Sequence, residues 1–130
     1  MPISSQIDQA NDLATFTATD NFTFDEVMAV IEKFYDTPTK NVVWDLKCVY
    51  ELNFSLEEVR DIASYQQRLE SSTRINGKTA IVASEDLIFG LGRMFQSFSE
   101  MSKVPIAVMI FRTMEEAEAW LADDDIDDED

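Results

Sequence analysis

Four adjacent acid pairs are the first residues in this chain of 130 that could do chemistry: Asp25-Glu26, Glu57-Glu58, Glu85-Asp86 and Glu115-Glu116. Two carboxylates held close together can divide the roles of general acid and general base, or share a hard cation. Each pair, however, stands where the surrounding pattern predicts the start of a helix, and negative charge there complements the helix dipole. Those eight acids and the seven in the run from Asp123 to Asp130 make up more than half of the twenty-six. Structural and solvation roles account for them better than catalysis does. The terminal run lacks the glycine and the spaced final glutamate of an EF-hand loop, so weak condensation of cations is all it offers.

Other reactive types are scarce. Cys48 is the single thiol and there is no histidine, which removes intrachain disulfides, the usual zinc sites and Ser-His or Cys-His nucleophiles. With no imidazole to lower its pKa, Cys48 is expected to be an unreactive thiol. Gly90-Leu91-Gly92-Arg93 carries half of a dinucleotide fingerprint. In that motif the glycines follow a strand directly and open a helix, whereas these fall several residues inside one. No catalytic residue, cofactor site or metal ligand emerges, and the chain is expected not to be an enzyme.

The formal net charge of -16 repels phosphate backbones and anionic membranes, so nucleic acid is not an expected partner. No apolar run approaches the ~20 residues of a spanning helix and no signal peptide opens the chain, so a cytoplasmic location without membrane insertion is expected.

The elements that must position these residues are organised around Gly77 to Arg112: a strand over Lys78 to Ala83, a long helix over about Asp86 to Met101, and a strand over Pro105 to Phe111. Both strands are almost continuously apolar, as in a parallel sheet buried on both faces. Upstream, Ser5 to Gln9, an Asn11-Asp12 turn and Leu13 to Ala18 read as a hairpin, with Phe16 pointing inward. Thr23 and Glu26 form a capping box, followed by Phe24, Val27, Met28, Ile31, Phe34 and Tyr35 at helical spacing, ending before Thr37-Pro38. Asn41 to Leu46 is a short strand. Ser55 and Glu58 repeat the box ahead of a helix with Leu56, Val59, Ile62, Ala63 and Leu69 as its buried stripe, closing near Ser71 or Ser72. Thr113 and Glu116 open a last helix with Met114, Ala117, Trp120 and Leu121 inward.

The third helix stands apart. Leu87, Leu91, Met94, Phe95, Phe98 and Met101 supply an ordinary core face, yet Ile88 and Phe89 widen the apolar arc well beyond ~100°. Gly90 and Gly92 cost roughly 1 kcal/mol each against alanine, which the close approach of another backbone would explain. The whole predicts an α/β fold with about five strands, mostly parallel, an N-terminal antiparallel hairpin and four helices. Residues 1–122 form one domain in this reading, and 123–130 a disordered acidic tail.

The element order, Asp45-Leu46 at a strand end, Gly77-Lys78-Thr79-Ala80-Ile81-Val82, and Val108-Met109-Ile110-Phe111-Arg112 followed by Glu116-Ala117-Glu118-Ala119-Trp120-Leu121 together resemble the SpoIIAA-like group, bacterial proteins that share the fold of STAS domains and of the SEC14 lipid carriers. The resemblance covers about Ser5 to Leu121. In STAS antagonists of anti-sigma factors a phosphorylated serine, usually within Asp-Ser-Ser-Gly, opens the helix after the Asp-Leu strand. Here the stretch is Asn53-Phe54-Ser55-Leu56, so Ser55 alone corresponds, and it already serves as an N-cap worth about 1 kcal/mol. The resemblance implies a regulatory domain that docks a protein partner or a second copy of itself. The widened third helix and its neighbours Ile88, Phe89, Arg93, Met94 and Arg112 are the candidate surface, although both arginines could instead pair with the chain's own acids. The SEC14 relationship implies the alternative, a carrier of a small apolar ligand or lipid.

Overall fold

The structure, a computed structural model, describes residues 3–34, 36, 38–70, 74, 76–101 and 106–123. The expected end of the second helix near Ser71 or Ser72, and the acidic run beyond Asp123, lie outside the described residues. In chain order the elements are β1 (Ile3–Asp8), β2 (Leu13–Ala18), α1 (Phe24–Phe34), β3 (Asn41–Asp45), α2 (Leu56–Glu70), β4 (Lys78–Val82), α3 (Asp86–Met101), β5 (Ala107–Phe111) and α4 (Met114–Ala122). They form one five-stranded sheet in the order β1-β2-β3-β4-β5. The first pair is antiparallel and the rest are parallel.

Because each crossover lands on the adjacent strand, right-handed connection places α1, α2 and α3 on the same face. That face holds the main core, where Phe16, Trp44, Ile81 and Ile110 of the strands meet Ile31, Ile62 and Phe95 of the helices. Phe16 packs on Trp44 with ring centroids 4.7 Å apart and edge-on to Phe34 at 5.6 Å. The opposite face carries α4 alone, whose Ala117 packs on Val43, Ala80 and Val82. Lys78 fastens that helix: its buried Nζ donates to the carbonyls of Trp120 (2.8 Å) and Asp123 (2.7 Å), the last of which caps α4. One helix cannot span five strands. Leu13, Thr15 and Thr17 of β2 are therefore only half-buried on this side, and Ser4, Gln6 and Asp8 of β1 are exposed.

Two expectations change. Both apolar runs were expected to be buried on both faces, which holds for β4 but not for β5. β5 is an edge strand, so only Val108 and Ile110, facing α3, are buried. The phase of two helical stripes also shifts. Leu56 is 55 % and Leu87 58 % exposed, and both lie in the first turn of their helices. On α3 the fully buried positions are Ile88, Gly92 and Phe95, while Met101 faces solvent.

The hairpin turns through Asp12 in the left-handed region (φ 53°). Its preceding corner is tied by Asn11, whose side-chain amide and backbone N–H donate to the Asp8 carboxylate. Those bonds favour the ionised form and hold the Asp8 carboxyl below its ordinary range.

The three glycines have different reasons. Asn76 sits at φ 66°, and a Cβ on Gly77 would run into the carbonyl oxygens of Lys40 and Arg74. Gly77 also accepts from Ala107 N–H, so its backbone joins the β3, β4 and β5 starts. Gly92 is approached by the Ile110 side chain rather than by another backbone, and Gly90 has nothing within 4 Å. Gly77→Ala is accordingly expected to lose about 1–3 kcal/mol through overpacking, whereas Gly90→Ala gains up to ~1 kcal/mol from helix propensity. Urea denaturation of the two variants beside the parent distinguishes these opposite signs.

Candidate functional site

The loops that follow β2, β3, β4 and β5 gather at the carboxyl end of the parallel strands, together with the N-termini of all four helices. Three helices open on reciprocal boxes or caps. At α1, Thr23 N–H donates to Glu26 Oε1 (2.8 Å) and Glu26 N–H to Thr23 Oγ1 (3.1 Å). At α2, Ser55 N–H donates to Glu58 Oε1 and Glu58 N–H to Ser55 Oγ, both at 3.0 Å. Thr113 Oγ1 accepts from Glu116 N–H at α4. Asn21 ties the first two loops together, its Oδ1 accepting from the N–H groups of Tyr50 and Glu51. Between the α1 and α2 caps lies a polar cleft of about 430 Å³, lined on its charged side by Asp25, Glu51 and Glu58 and floored by Phe22 and Phe54. Ser55 stands exposed at its edge. Among the described residues no Lys or Arg lines this cleft, so an added phosphate would face carboxylates.

Asp45, the residue that the Asp-Leu strand end suggests, is satisfied locally: Lys47 N–H reaches Oδ1 at 3.2 Å and Lys47 Nζ lies 3.5 Å from Oδ2. Cys48 is exposed in the next turn. Among the described residues no three acids or thiols converge as a metal ligand set.

The five residues expected to form a docking surface on or beside α3 separate into three groups. Ile88 is 1 % exposed and belongs to the main core, so its side chain is withdrawn from any docked partner. Phe89 and Arg112 satisfy each other: the guanidinium lies 4.1 Å from the ring centroid, donates to Ser84 O at 2.9 Å and pairs with Asp86 Oδ1 at 2.9 Å. This contact ties the start of α3 to the end of β5. Arg93 is exposed and makes no ion pair or hydrogen bond among the described residues, and Met94 beside it is half-buried.

The apolar surface that α3 does present lies one position round from the expected arc. Its outward stripe runs Leu87, Gly90, Met94 and Met101, at spacings of three, four and seven. Since α2 and α3 both follow strands of one parallel sheet, they start at the same end, so exposed Leu56 and Leu87 open neighbouring helices there. Tyr50, 66 % exposed, projects from the loop before α2. A hydropathy pattern cannot distinguish this stripe from the core stripe, because both are apolar and the helix is wet on only part of its girth.

Under the α1, α2 and α3 layer, the main core is not filled. An apolar, partly open cavity of about 90 Å³ lies between the helices and the sheet, walled by Ile31, Trp44, Ile62, Ile81, Ile88 and Phe95. Phe22 and Phe54 line both this cavity and the acidic cleft. The two rings meet edge to face at 5.9 Å and form the wall between an apolar interior and a charged surface. Gln66 also lines the cavity. Its position was legible as a glutamine four residues beyond Ile62 and seven beyond Val59, on the buried stripe of α2.

Two solved structures share this architecture. One is an uncharacterized protein with a SpoIIAA-like fold from Shewanella loihica PV-4, at 17% identity over 92% of each chain with a TM-score of 0.57. The other is an anti-sigma factor antagonist from Mycobacterium paratuberculosis, at 14% identity over 93% of this chain and 95% of that one with a TM-score of 0.58. The fold is SpoIIAA-like. No protein-family model and no curated protein matches the sequence. Within the SpoIIAA-like sheet, the α2 cap that Ser55 provides lies on the rim where the exposed apolar side chains gather. No described helix is long and apolar enough to cross a membrane.

If Ser55 is held as a cap, Ser55→Ala loses about 1 kcal/mol of unfolding free energy, and Ser55→Asp, an equally good capping residue, loses much less. Chemical denaturation of the three proteins measures this; equal losses in both variants would show that Oγ does not serve as the cap.

Proposed function

We propose that this chain is a non-enzymatic regulatory domain that docks a protein partner through the outward stripe of α3 and the adjoining starts of α2 and its loop. The observation that carries this reading is the pair Leu56 and Leu87, large apolar side chains more than half exposed on neighbouring helix starts. Gly90 supports it. A glycine in an exposed helix interior costs ~1 kcal/mol, nothing among the described residues outside its own helix turn would meet a Cβ there within 4 Å, and its missing side chain leaves a flat place between Leu87 and Met94 for a partner's backbone. The likeness to an anti-sigma factor antagonist supports the same reading.

Charge decides what kind of partner fits. Two copies, each with a formal charge of -16, repel one another, so a homodimer through this acid-rimmed surface is disfavoured relative to a partner with a basic face. A photo-crosslinking residue at position 93, introduced in the cells that make the protein, should give one discrete protein adduct, and the added substitution Leu87→Asp should remove it without changing the circular dichroism. The same probe at Glu118, on the opposite face, should give none. Equal labelling from both faces, or an adduct indifferent to Leu87→Asp, would sink the docking surface.

Ser55 acts in this reading as a cap and not as a phosphoswitch. The motivation is the carboxylate lining of its cleft, which offers a phosphate no cation and adds like-charge repulsion. Incubation with ATP and extract of the source cells should yield no phosphopeptide spanning Ser55; a stoichiometric one would reverse the assignment.

A carrier of intact lipid fits less well. A cavity of about 90 Å³ is smaller than the ~150 Å³ space that accepts a benzene ring, so an acyl chain does not fit without the helices parting. A much smaller ligand is a separate matter.

A further inference from the structure

The cavity beneath α1, α2 and α3 has two features that packing alone leaves unexplained. Trp44 of β3 and Gln66 of α2 both line it, and both also line a smaller space of about 10 Å³ that Arg74 and Thr79 close. Their exposures are 8 % and 9 %, so each is more than nine-tenths buried. Among the described residues, neither the Trp44 indole N–H nor the Gln66 amide has a hydrogen-bond partner. Buried indoles and amides ordinarily find partners, because leaving them unbonded costs stability. Among the described residues, no side-chain polar atom sealed away from open volume lacks a partner. The unbonded groups of Trp44 and Gln66 therefore keep some open volume beside them, and the larger of the two spaces that both residues line is this cavity.

We propose that the cavity is a binding site for a small, uncharged, mostly apolar molecule carrying one oxygen acceptor, such as a ketone, ester or alcohol. The indole N–H can only donate and the amide NH₂ of Gln66 donates as well, so either suits a carbonyl or hydroxyl oxygen. Among the described residues, the rest of the lining is hydrocarbon and aromatic, with Phe22, Phe54, Ile88 and Phe95 among its members and no ionisable group. A carboxylate would be desolvated there without a countercharge. Arg74 lies beyond Trp44 and Gln66 in the smaller space, already donating to the carbonyls of Lys40 and Lys78 and to Thr79 Oγ1. The cavity volume of about 90 Å³ suits a group of about the size of a five-membered ring. This site is independent of the docking surface, since neither Trp44 nor Gln66 reaches the exposed stripe.

The test is a titration of isotope-labelled full-length protein with cyclopentanone, with cyclopentane as the same shape lacking the oxygen, and with butyrate as the charged comparison, read at the tryptophan indole N–H resonances. Cyclopentanone should move the Trp44 resonance and leave that of Trp120, which sits on the other face of the sheet. It should bind roughly five- to tenfold more tightly than cyclopentane, the worth of one hydrogen bond, and more tightly than butyrate. Gln66→Leu, which replaces the unbonded amide with hydrocarbon of similar size, should at least halve the preference for the ketone. Ile88→Phe should fill the space and abolish binding of both rings; should that variant not fold, Gln66→Leu decides. Equal affinity for the two rings, stronger binding of butyrate, no binding up to the solubility limit, or a Trp44 shift that survives in folded Ile88→Phe would each overturn the proposal. A chain that docks its partner normally yet ignores cyclopentanone overturns this inference alone.

Discussion

The constraint on which this molecule depends is that every parallel strand pairs with the strand before it. Sequential order with crossovers of one hand stacks three helices on a single face of the sheet and leaves the last helix to cover the other. The asymmetry that follows governs most of the surface. β3 and β4 are sealed on both sides, β5 is sealed on one, and β1 with β2 presents a polar, partly open face. A doubly wound sheet, in which the strand order reverses, would have distributed the helices evenly and created a crevice at the switch point. Here there is no reversal.

Such an arrangement needs ties at its margins, and the chain places its few cations there. Lys78 holds the carboxyl end of α4 to the start of β4, Arg74 holds the starts of β3 and β4 together, and Arg112 holds the start of α3 to the end of β5. Lys78 works on carbonyl oxygens rather than on carboxylates. In a chain with ten basic and twenty-six acidic residues, this leaves the acids unneutralised and the surface strongly negative. The same surplus that keeps copies apart gives the exposed apolar rim a preference for a basic partner.

The helix layer that buries the main core does so incompletely, and the gap is chemically uneven. It is hydrocarbon over most of its wall and has two hydrogen-bonding groups at one end. A core optimised only for stability would place Leu or Met at position 66 and fill the space. Gln66 and Trp44 break the local rule of an apolar stripe, and such breaks concentrate where a protein does something besides fold. The aromatic pair Phe22 and Phe54 separates that interior from the acidic cleft and from the α2 cap. Interior and rim are thus neighbours through a single layer of side chains.

The helix starts were legible residue by residue, because Thr23 with Glu26, Ser55 with Glu58 and Thr113 with Glu116 are local devices whose partners lie three positions apart. The hairpin and the inward-facing Phe16 followed from a period of two and a turn signal, and the exclusion of histidine chemistry needed only a count. Which apolar residues would be left outside was not legible. Leu56 and Leu87 look like core residues in any periodic pattern, and only the way the first turns of α2 and α3 sit on the rest of the fold leaves them exposed. The pairing of Arg112 with Phe89 and Asp86 joins residues more than twenty positions apart, and Gly77 is explained by the Lys40 carbonyl, remote in sequence. The cavity is a property of how three helices settle on a twisted sheet, fixed by volumes that do not quite match. Composition and short-range spacing therefore determined the elements and the class of fold, while long-range packing alone decided which surfaces were left for other molecules.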